Sequence, residues 1–304
     1  MNAAENPVSG AVSNPTRPGV RARLRERAGI GLIVPPLVLV LLVFAYPLLK
    51  MFLLSVTNFL DPSDSGLANY AWFFKNDTQI VILRRTFLVS LWVTLACLVL
   101  GFPYAYLMTV VGPRTRFVML AGVLLPFWSN LVVRTYAWAI LLQDTGPIQA
   151  ALRSLGVDNA RLLGNMIGVT IGSVQVLLPF LVLPLYASLA GIDRSLLSAA
   201  ASLGATPRAA FIKVYLPLSM PGVLAGSMIV FILMLGFYFT PALLGSSRES
   251  LISQQIVVQV NQLLAFGRGG AMAFILLIAT LGLLGLAVLV AKRHTKALGI
   301  GEGQ

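Results

Sequence analysis

The stretch from Ser198 to Val223 has the residue types and spacing of a docking element. Small residues precede Gly204, a proline-started basic segment follows it, and the stretch closes on Leu216-Pro217. Glycine ends helices at the position after the C-cap, and Thr206-Pro207 matches a cap followed by a first helical turn. The pattern therefore predicts two short helices around a glycine, with a small-residue face that a partner can approach closely.

Each of these two predicted helices has an apolar face. The first helix is expected to start at Asp193 and Ser195, because both residue types cap helices. The apolar residues are Leu196, Leu197, Ala200 and Leu203 in the first helix and Phe211, Val214 and Tyr215 in the second. Leu216-Pro217 is expected to end the second helix. The alternative interpretation is an amphipathic helical pair that lies on a membrane surface.

A second group of residues could attract or conduct a cation. Trp128, Tyr136 and Trp138 surround Arg134 in an otherwise apolar run. An ammonium over an aromatic face gains about 0.5–2 kcal/mol, so the rings could line a pathway, although they could equally form an interfacial aromatic belt. An arginine near the centre of a span costs about 2.5–3.5 kcal/mol. Arg134 must therefore face protein or water, as a pathway residue, as a snorkelling side chain, or paired with backbone carbonyls.

The candidate pathway combines this group with polar and aromatic residues of other apolar runs. Its members are Trp128, Asn130, Arg134, Tyr136, Trp138, Gln175, Phe237 and Tyr238. No Asp or Glu lies inside any apolar run, whereas a site that holds a polycation tightly needs carboxylates. We therefore expect this chain to conduct its solute, with selectivity residing in another protein.

The chain carries none of the common catalytic signatures. Cys97 is its only cysteine and His294 its only histidine, so no cysteine–histidine metal cluster and no intrachain disulfide can form. Neither a phosphate-binding Walker A loop nor a nucleophile elbow occurs. We expect a protein that is not an enzyme, with no catalytic residues, metal or cofactor of its own.

Composition places the chain in a membrane. It is 58% hydrophobic and 11% charged, against about 25% charged in soluble domains. About 20 apolar residues span a bilayer as a helix. Six helices are predicted near 29–50, 86–111, 117–142, 166–190, 221–244 and 271–291. The remaining organisation is a basic, disordered N-terminus at 1–28, a membrane domain at 29–291 that includes a loop at 191–220, and a tail at 292–304.

The distribution of lysine and arginine predicts the orientation of the chain. With the N-terminus inside, thirteen of the 22 basic residues fall on the cytoplasmic side and eight outside, and Arg134 is left within a span. The positive-inside rule then places both termini and the loop in the cytoplasm. The basic residues are dispersed over many segments, which argues against nucleic-acid binding despite the net charge of +12.

The loop resembles the EAA loop of binding-protein-dependent ABC importer permeases. The matching positions are Ala199, Ala200, Gly204, Val214, Leu216 and Pro217. Ser198 stands where the family has a glutamate associated with the ATPase contact, so an ionic contact is not expected there, although the Ser198 hydroxyl could still form a hydrogen bond. The stretch from Leu125 to Trp138 resembles the spermidine/putrescine branch of these permeases.

This resemblance implies an all-α, type I importer fold with six transmembrane helices, in a bacterial inner membrane. It implies two ATPase subunits that dock on the loop and carry ATP and magnesium, a second permease chain, and a periplasmic solute-binding protein. The implied function is polyamine uptake by alternating access. The alternatives are the same kind of importer for an opine or aminophosphonate, or an ion-coupled secondary transporter.

Overall fold

The computed structural model describes residues 20–56, 67–157 and 161–297. The beginning of the predicted disordered segment, before Val20, and the end of the predicted tail, after Ala297, lie outside the described residues. The basic stretch 21–27, assigned from sequence to that segment, is helical: the first helix begins at Val20 and not near residue 29. Alanine, leucine and arginine favour helix here, and no proline interrupts it before Pro35.

The described residues are helical, and no strand occurs among them. The helices are α1 (Val20–Val56), α2 (Ala68–Lys75), α3 (Asp77–Val110), α4 (Pro113–Leu124), α5 (Leu131–Leu142), α6 (Pro147–Ser154), α7 (Met166–Ala190), α8 (Ser195–Ser202), α9 (Pro207–Ala210), α10 (Leu216–Leu235), α11 (Phe239–Leu244), α12 (Ile252–Val257) and α13 (Phe266–Ala297). A 3₁₀ turn, Leu125–Trp128, follows α4, and wide π turns follow α9 and α12.

Five helices of the described chain are long and apolar enough to cross a membrane. They are Val34–Val56, Asp77–Val110, Met166–Ala190, Pro207–Leu235 and Phe266–Leu286. The bent pair Pro113–Trp128 and Leu131–Ser154 makes a sixth if it counts as one span. The six-helix expectation therefore holds in number, but two of the predicted helices differ in shape.

The predicted continuous helices at 117–142 and 221–244 are both wrong in detail. The first is broken between α4 and α5, where the chain bends by 100°. The second begins at Pro207 and ends at Leu235, and three residues then separate it from α11. Each break follows a helix with an apolar continuation, so hydropathy gave no sign of it. We call residues 125–130 the α4–α5 break.

The chain divides into two compact units, residues 1–51 and 52–304. The first contains most of α1. The core of the second lies where α3, α7 and α10 pack together, with Val93, Leu181 and Val230 fully buried. Apolar side chains cover all sides of these helices, because both protein and lipid neighbours are apolar.

Two glycines allow α10 to approach α7 closely. A Cβ on Gly226 would lie 3.0 Å from the backbone oxygen of Leu181, and a Cβ on Gly222 would lie 2.4 Å from Cβ of Ser188. Glycines four residues apart present one flat face, which is how helices pack at short range in membranes. This contact joins the two helices that flank the 191–220 loop.

Candidate functional site

The tip of the 191–220 loop has the helix–glycine–helix shape that its sequence predicts. Gly204 has φ of +85°, the left-handed conformation that ends a helix. Its N–H donates to the carbonyl of Ala201 at 2.9 Å, and the N–H of Ala205 donates to the carbonyl of Ala200 at 3.0 Å. Both bonds belong to a Schellman motif, which satisfies the last carbonyls of α8. The prediction for Gly204 is therefore confirmed.

Asp193 and Thr206, two of the residues that the sequence indicated as caps, bond the backbone in the first turns of the two loop helices. Asp193 Oδ1 accepts from the backbone N–H of Ser195 at 2.9 Å, and Asp193 Oδ2 accepts from the Ser195 hydroxyl at 2.6 Å. These two bonds from Ser195 lower the pKa of the Asp193 carboxyl from its ordinary value. Thr206 accepts from the N–H of Ala209 at 3.3 Å and so caps α9. Ser195 itself donates to Asp193 and does not act as a cap.

The second loop helix does not end at Leu216-Pro217, contrary to the prediction. Residues 211–215 form a π turn, and the N–H of Leu216 donates to the carbonyl of Phe211, five residues earlier. A proline clashes with the carbonyl four residues before it and cannot donate to it. The wider turn relieves this conflict, so the helix continues from the loop into the span that ends at Leu235.

An aromatic cluster fixes the base of the loop. The rings of Phe211 and Tyr215 are stacked with centroids 5.4 Å apart, and both meet Tyr106 of α3 edge-on, at 5.8 and 5.4 Å. Phe102, one turn earlier on α3, packs edge-on against Phe211. The predicted apolar face of the second helix is confirmed at these two residues, and its partner is the end of α3.

The residues of the predicted apolar face of the first loop helix are not buried together. Leu197 packs against the main core, but Leu196 is 45% exposed and Leu203, next to Gly204, is 90% exposed. A leucine that is nine-tenths exposed lacks the burial that would stabilise it in this chain. The loop therefore presents an unpartnered apolar side chain at its tip.

Ser198 lies beside a groove between the two loop helices. The groove encloses about 400 Å³, and its walls include Ser198, Ala201 and Phe211. Ala199 is exposed and Ala200 half-buried, and Val214, Leu216 and Pro217 lie on the continuous helix behind them. The structure thus packs α8 against the π turn that contains Val214, and Leu216 and Pro217 follow that turn in the continuous helix.

The α4–α5 break places backbone outside any α-helix, within a segment apolar enough to span a membrane. Ser129 has an extended conformation, and Asn130 caps α5 by accepting from the N–H of Val132 at 2.8 Å. Trp128 is 87% exposed, and Ser129 and Asn130 are exposed beside it. Non-helical backbone is tolerated at membrane depth only where protein or a water-filled cavity covers it.

Arg134 binds two carbonyls of the α4–α5 break. Its Nη2 donates to the carbonyl of Pro126 and, at 3.0 Å, to that of Ser129, and its Nε donates to the Ser129 hydroxyl at 3.2 Å. The Ser129 hydroxyl in turn donates to the Pro126 carbonyl at 2.8 Å. Of the interpretations left open by the sequence, pairing with backbone carbonyls is the one that the contacts match.

The remaining pathway candidates fall into separate groups. Trp138 Nε1 donates to Gln175 Oε1 at 3.4 Å, which joins α5 to α7 within the bundle. Tyr136 and Trp128 are instead 54% and 87% exposed. The structure therefore brings Trp138 and Gln175 together but not the three aromatic residues of the 125–138 stretch.

Phe237 and Tyr238 lie in the second interruption, between α10 and α11. Tyr238 lines a polar cavity of about 550 Å³, together with Ser246, Gln255 and Gln262. The carbonyl of Phe237 accepts from the Ser253 hydroxyl at 2.8 Å, so α12 supports the interruption. Both interruptions in the spans thus carry predicted pathway residues.

A family model of known proteins covers more than half of the chain. It is the binding-protein-dependent transport system inner membrane component, and it matches residues 116–294, from the start of α4 almost to the end of α13. The chain belongs to this permease family. The match includes the 191–220 loop, both interruptions and every pathway candidate, so the resemblance inferred from the loop spacing is confirmed.

The relatives of this permease include two proteins that have the same name in different bacteria. The spermidine/putrescine transport system permease protein PotB of Escherichia coli strain K12 is 33% identical over 250 residues, which cover 80% of this chain and 90% of PotB. PotB of Haemophilus influenzae is 35% identical over 192 residues, 62% of this chain and 67% of that protein. The permease is thus the membrane subunit of an ABC importer, as predicted.

The fold is also that of a solved transporter. A chain of the bacterial alginate ABC transporter, in complex with an alginate pentasaccharide-bound periplasmic protein, superposes with a TM-score of 0.68. The sequences are 17% identical, and the match covers 92% of this permease and 98% of that chain. This likeness confirms the all-α importer fold predicted from sequence.

Sequence reasoning missed the hydroxyl groups that link the helices of the permease. Thr135 and Thr240, both buried, face each other across α5 and α11 with oxygens 3.4 Å apart. Thr86 donates to the carbonyl of Ile82 and accepts from the N–H of Ile252 at 3.0 Å, which ties α12 to α3. The only available signal was a threonine or serine inside an apolar run, and many such residues bond only to their own helix. Among the described residues no group of metal-ligating side chains occurs.

Proposed function

We propose that this permease takes up spermidine or putrescine in a bacterial inner membrane, with both termini and the 191–220 loop on the cytoplasmic side. The observation that supports the substrate is the identity of 33% to E. coli PotB over 90% of that protein. The solute would arrive on a periplasmic binding protein. Its selectivity would reside there or in a second permease chain, because no carboxylate lies within the apolar part of a span.

The permease would be driven by two ATPase subunits that hold ATP and magnesium and dock on the 191–220 loop. The loop supports this role because its tip is rigid and unpartnered. Schellman and threonine caps fix the shape at Gly204, and Leu203 is 90% exposed beside it. A large exposed apolar side chain that is surrounded by small residues can insert into a pocket on a partner protein.

The missing glutamate changes how the contact with the ATPase would work. Ser198 borders the groove between the loop helices, where a hydroxyl could bond a partner for about 1 kcal/mol, against about 1.5–3 kcal/mol for a charged group. The contact in this permease would therefore depend on the fit of Leu203 and the small residues around Gly204. No ion pair from position 198 is needed for it.

The two interruptions would line the solute pathway. Both place backbone outside helices in apolar segments, and such backbone needs cover from protein or from a water-filled cavity. The residues they contribute are Trp128, Asn130, Phe237 and Tyr238, and the bonded pair Trp138 and Gln175 lies between them along the chain. Closure of the ATPases on ATP would draw the two loops together and open the pathway outward, and hydrolysis would reset it.

The substrate is tested with the complete transporter in lipid vesicles. ATP hydrolysis is measured with the binding protein empty, loaded with spermidine, loaded with putrescine, or loaded with another small nitrogenous solute. The proposal expects stimulation by the two polyamines only. Stimulation by the other solute without any response to either polyamine would refute the substrate and leave the importer class intact.

A further inference from the structure

The α4–α5 break has a feature that the transport function does not require: an arginine bridges its two sides. We propose that Arg134 is a positioning residue that clamps the bend between α4 and α5. The proposal rests on the proposed function in one respect, namely that the break residues it positions, such as Trp128 and Asn130, line the pathway. The clamp itself is a property of this chain alone.

The first argument is the geometry of the guanidinium. Arg134 sits in the first turn of α5 and reaches back across the bend to the carbonyls of Pro126 and Ser129 and to the Ser129 hydroxyl. A planar fork with several donors can hold three acceptors at once, which a lysine ammonium on a flexible stem does less well. The contacts connect the helix before the bend to the helix after it.

The second argument is the charge. The carboxyl end of a helix carries a partial negative charge, and its amino end a partial positive one. Arg134 lies at the amino end of its own helix, α5, where a cation is disfavoured. Its charge is instead used at the carbonyls of Pro126 and Ser129, in and after the 3₁₀ turn that follows the carboxyl end of α4. The position of Arg134 is thus favourable only while the bend is present.

The third argument is the fate of the carbonyls without the arginine. Without the guanidinium the carbonyl of Ser129 loses the donor that Arg134 supplies, whereas the carbonyl of Pro126 keeps the N–H and hydroxyl of Ser129. A straightened segment would satisfy its carbonyls within a helix. Removal of the guanidinium therefore favours a straighter and more variable arrangement of α4 and α5.

The test measures the bend directly with two spin labels. Val118 on α4 and Ile140 on α5 are 67% and 59% exposed, and each lies about 11 residues from the bend, a leg of about 16 Å. A bend of 100° places the labelled positions roughly 20 Å apart, against roughly 33 Å for a straight helix. Cys97, the only native cysteine, is replaced by alanine, and the labels are attached to V118C and I140C.

The full chain is measured by electron paramagnetic resonance in lipid nanodiscs, without solute or nucleotide. Arg134→Met is expected to raise the ratio of long to short distances at least threefold, and Arg134→Lys to give a smaller rise. The matched control is Arg153→Met, because Arg153 donates to a single carbonyl, that of Asp144, outside the break. The control is expected to keep the short distance.

An unchanged short distance in Arg134→Met would overturn the clamp. If that variant does not accumulate in the membrane, Arg134→Lys and Arg134→Gln decide, and a wild-type distance in both would overturn it equally. Solute-stimulated ATP hydrolysis in the complete transporter is the second readout, in which lysine is expected to restore part of the activity lost with methionine. Since the distance is recorded without solute, a wrong substrate leaves this result unaffected, and a failed clamp leaves the substrate proposal standing.

Discussion

Substitutions at Gly204 separate two reasons for a glycine at the tip of the loop. One reason is conformational, because φ of +85° disfavours residues with a Cβ. The other is proximity, because an ATPase surface that packs against the tip leaves no room for a side chain. Within this chain a Cβ at position 204 meets no atom within 4 Å, so the first reason can be evaluated without the second.

The conformational cost differs among substituents. An ordinary L-residue in the left-handed region costs about 1–2 kcal/mol, and a β-branched residue costs more, whereas asparagine and aspartate visit this region readily. Since about 1.4 kcal/mol is tenfold in an equilibrium constant, Gly204→Ala lowers the equilibrium constant for forming the native tip by roughly 5- to 30-fold relative to glycine. If conformation alone matters, transport activity is therefore expected to be highest with asparagine at position 204, lower with alanine and lowest with valine.

Docking predicts a different order. If the ATPase packs against Gly204, then Gly204→Asn and Gly204→Asp should insert into the membrane normally, retain the loop conformation and still abolish uptake. The assay is polyamine uptake into vesicles that contain the complete transporter, with capture of the ATPase subunits by the permease as the parallel measurement. Uptake near the wild-type level in Gly204→Asn, with loss only in Gly204→Val, would refute close docking at this residue.

Three further predictions concern other contacts. Ser198→Ala should reduce capture of the ATPase by less than about fivefold, the equivalent of one neutral hydrogen bond of about 1 kcal/mol, and a larger loss would indicate that the hydroxyl dominates the interface. Gly226→Val should lower the thermal unfolding temperature more than Gly236→Val. The reason is that a Cβ at 226 would lie 3.0 Å from a backbone oxygen, whereas a Cβ at 236 would meet no atom within 4 Å. Equal shifts in the two variants would contradict the close approach of α10 to α7. Trp138→Phe and Gln175→Leu should be non-additive in uptake, since each removes the same hydrogen bond, and additive effects would mean that the two residues act independently.

The membrane frame and the loop tip could be predicted because each depends on local rules. Apolar length defines a span whatever its neighbours, and the conformation at Gly204 follows from the residue itself and from Thr206-Pro207 after it. These features matched the structure closely. Their success also explains why the loop spacing was sufficient to identify the family.

The interruptions could not be predicted, because hydropathy depends on which residues a segment contains and not on whether the helix axis changes direction within it. The run through Leu125–Trp128 is as apolar as a helix, and the bend within it depends on Arg134 reaching back across several residues. Asn130 was the one local sign, since asparagine before an apolar run is a common helix cap. It was assigned to the pathway, and its role in starting α5 was overlooked.

Two expectations for the loop, at Pro217 and at Leu203, differ from the structure for different reasons. Pro217 normally ends a helix, but the π turn before it accommodates the ring, and such a turn has no reliable sequence signature. Helical spacing placed Leu203 on an apolar face, and in the structure it is 90% exposed. Spacing identifies which residues share a side of a helix, and it does not reveal whether that side is covered by the same chain.

The continuity of the helix from Pro207 to Leu235 has a mechanical consequence. Its 29 residues extend over roughly 43 Å at about 1.5 Å each, from the tip of the 191–220 loop to the interruption at Phe237 and Tyr238. The stacked rings of Phe211 and Tyr215 against α3 lie near one end and can serve as a fulcrum. About 22 residues, or roughly 33 Å, separate this pivot from Leu235, so a tilt of about 5° displaces the far end by roughly 3 Å. The continuous helix can thus act as a lever. The position of the aromatic stack along the helix determines how far the end at Leu235 moves for a given tilt at the tip.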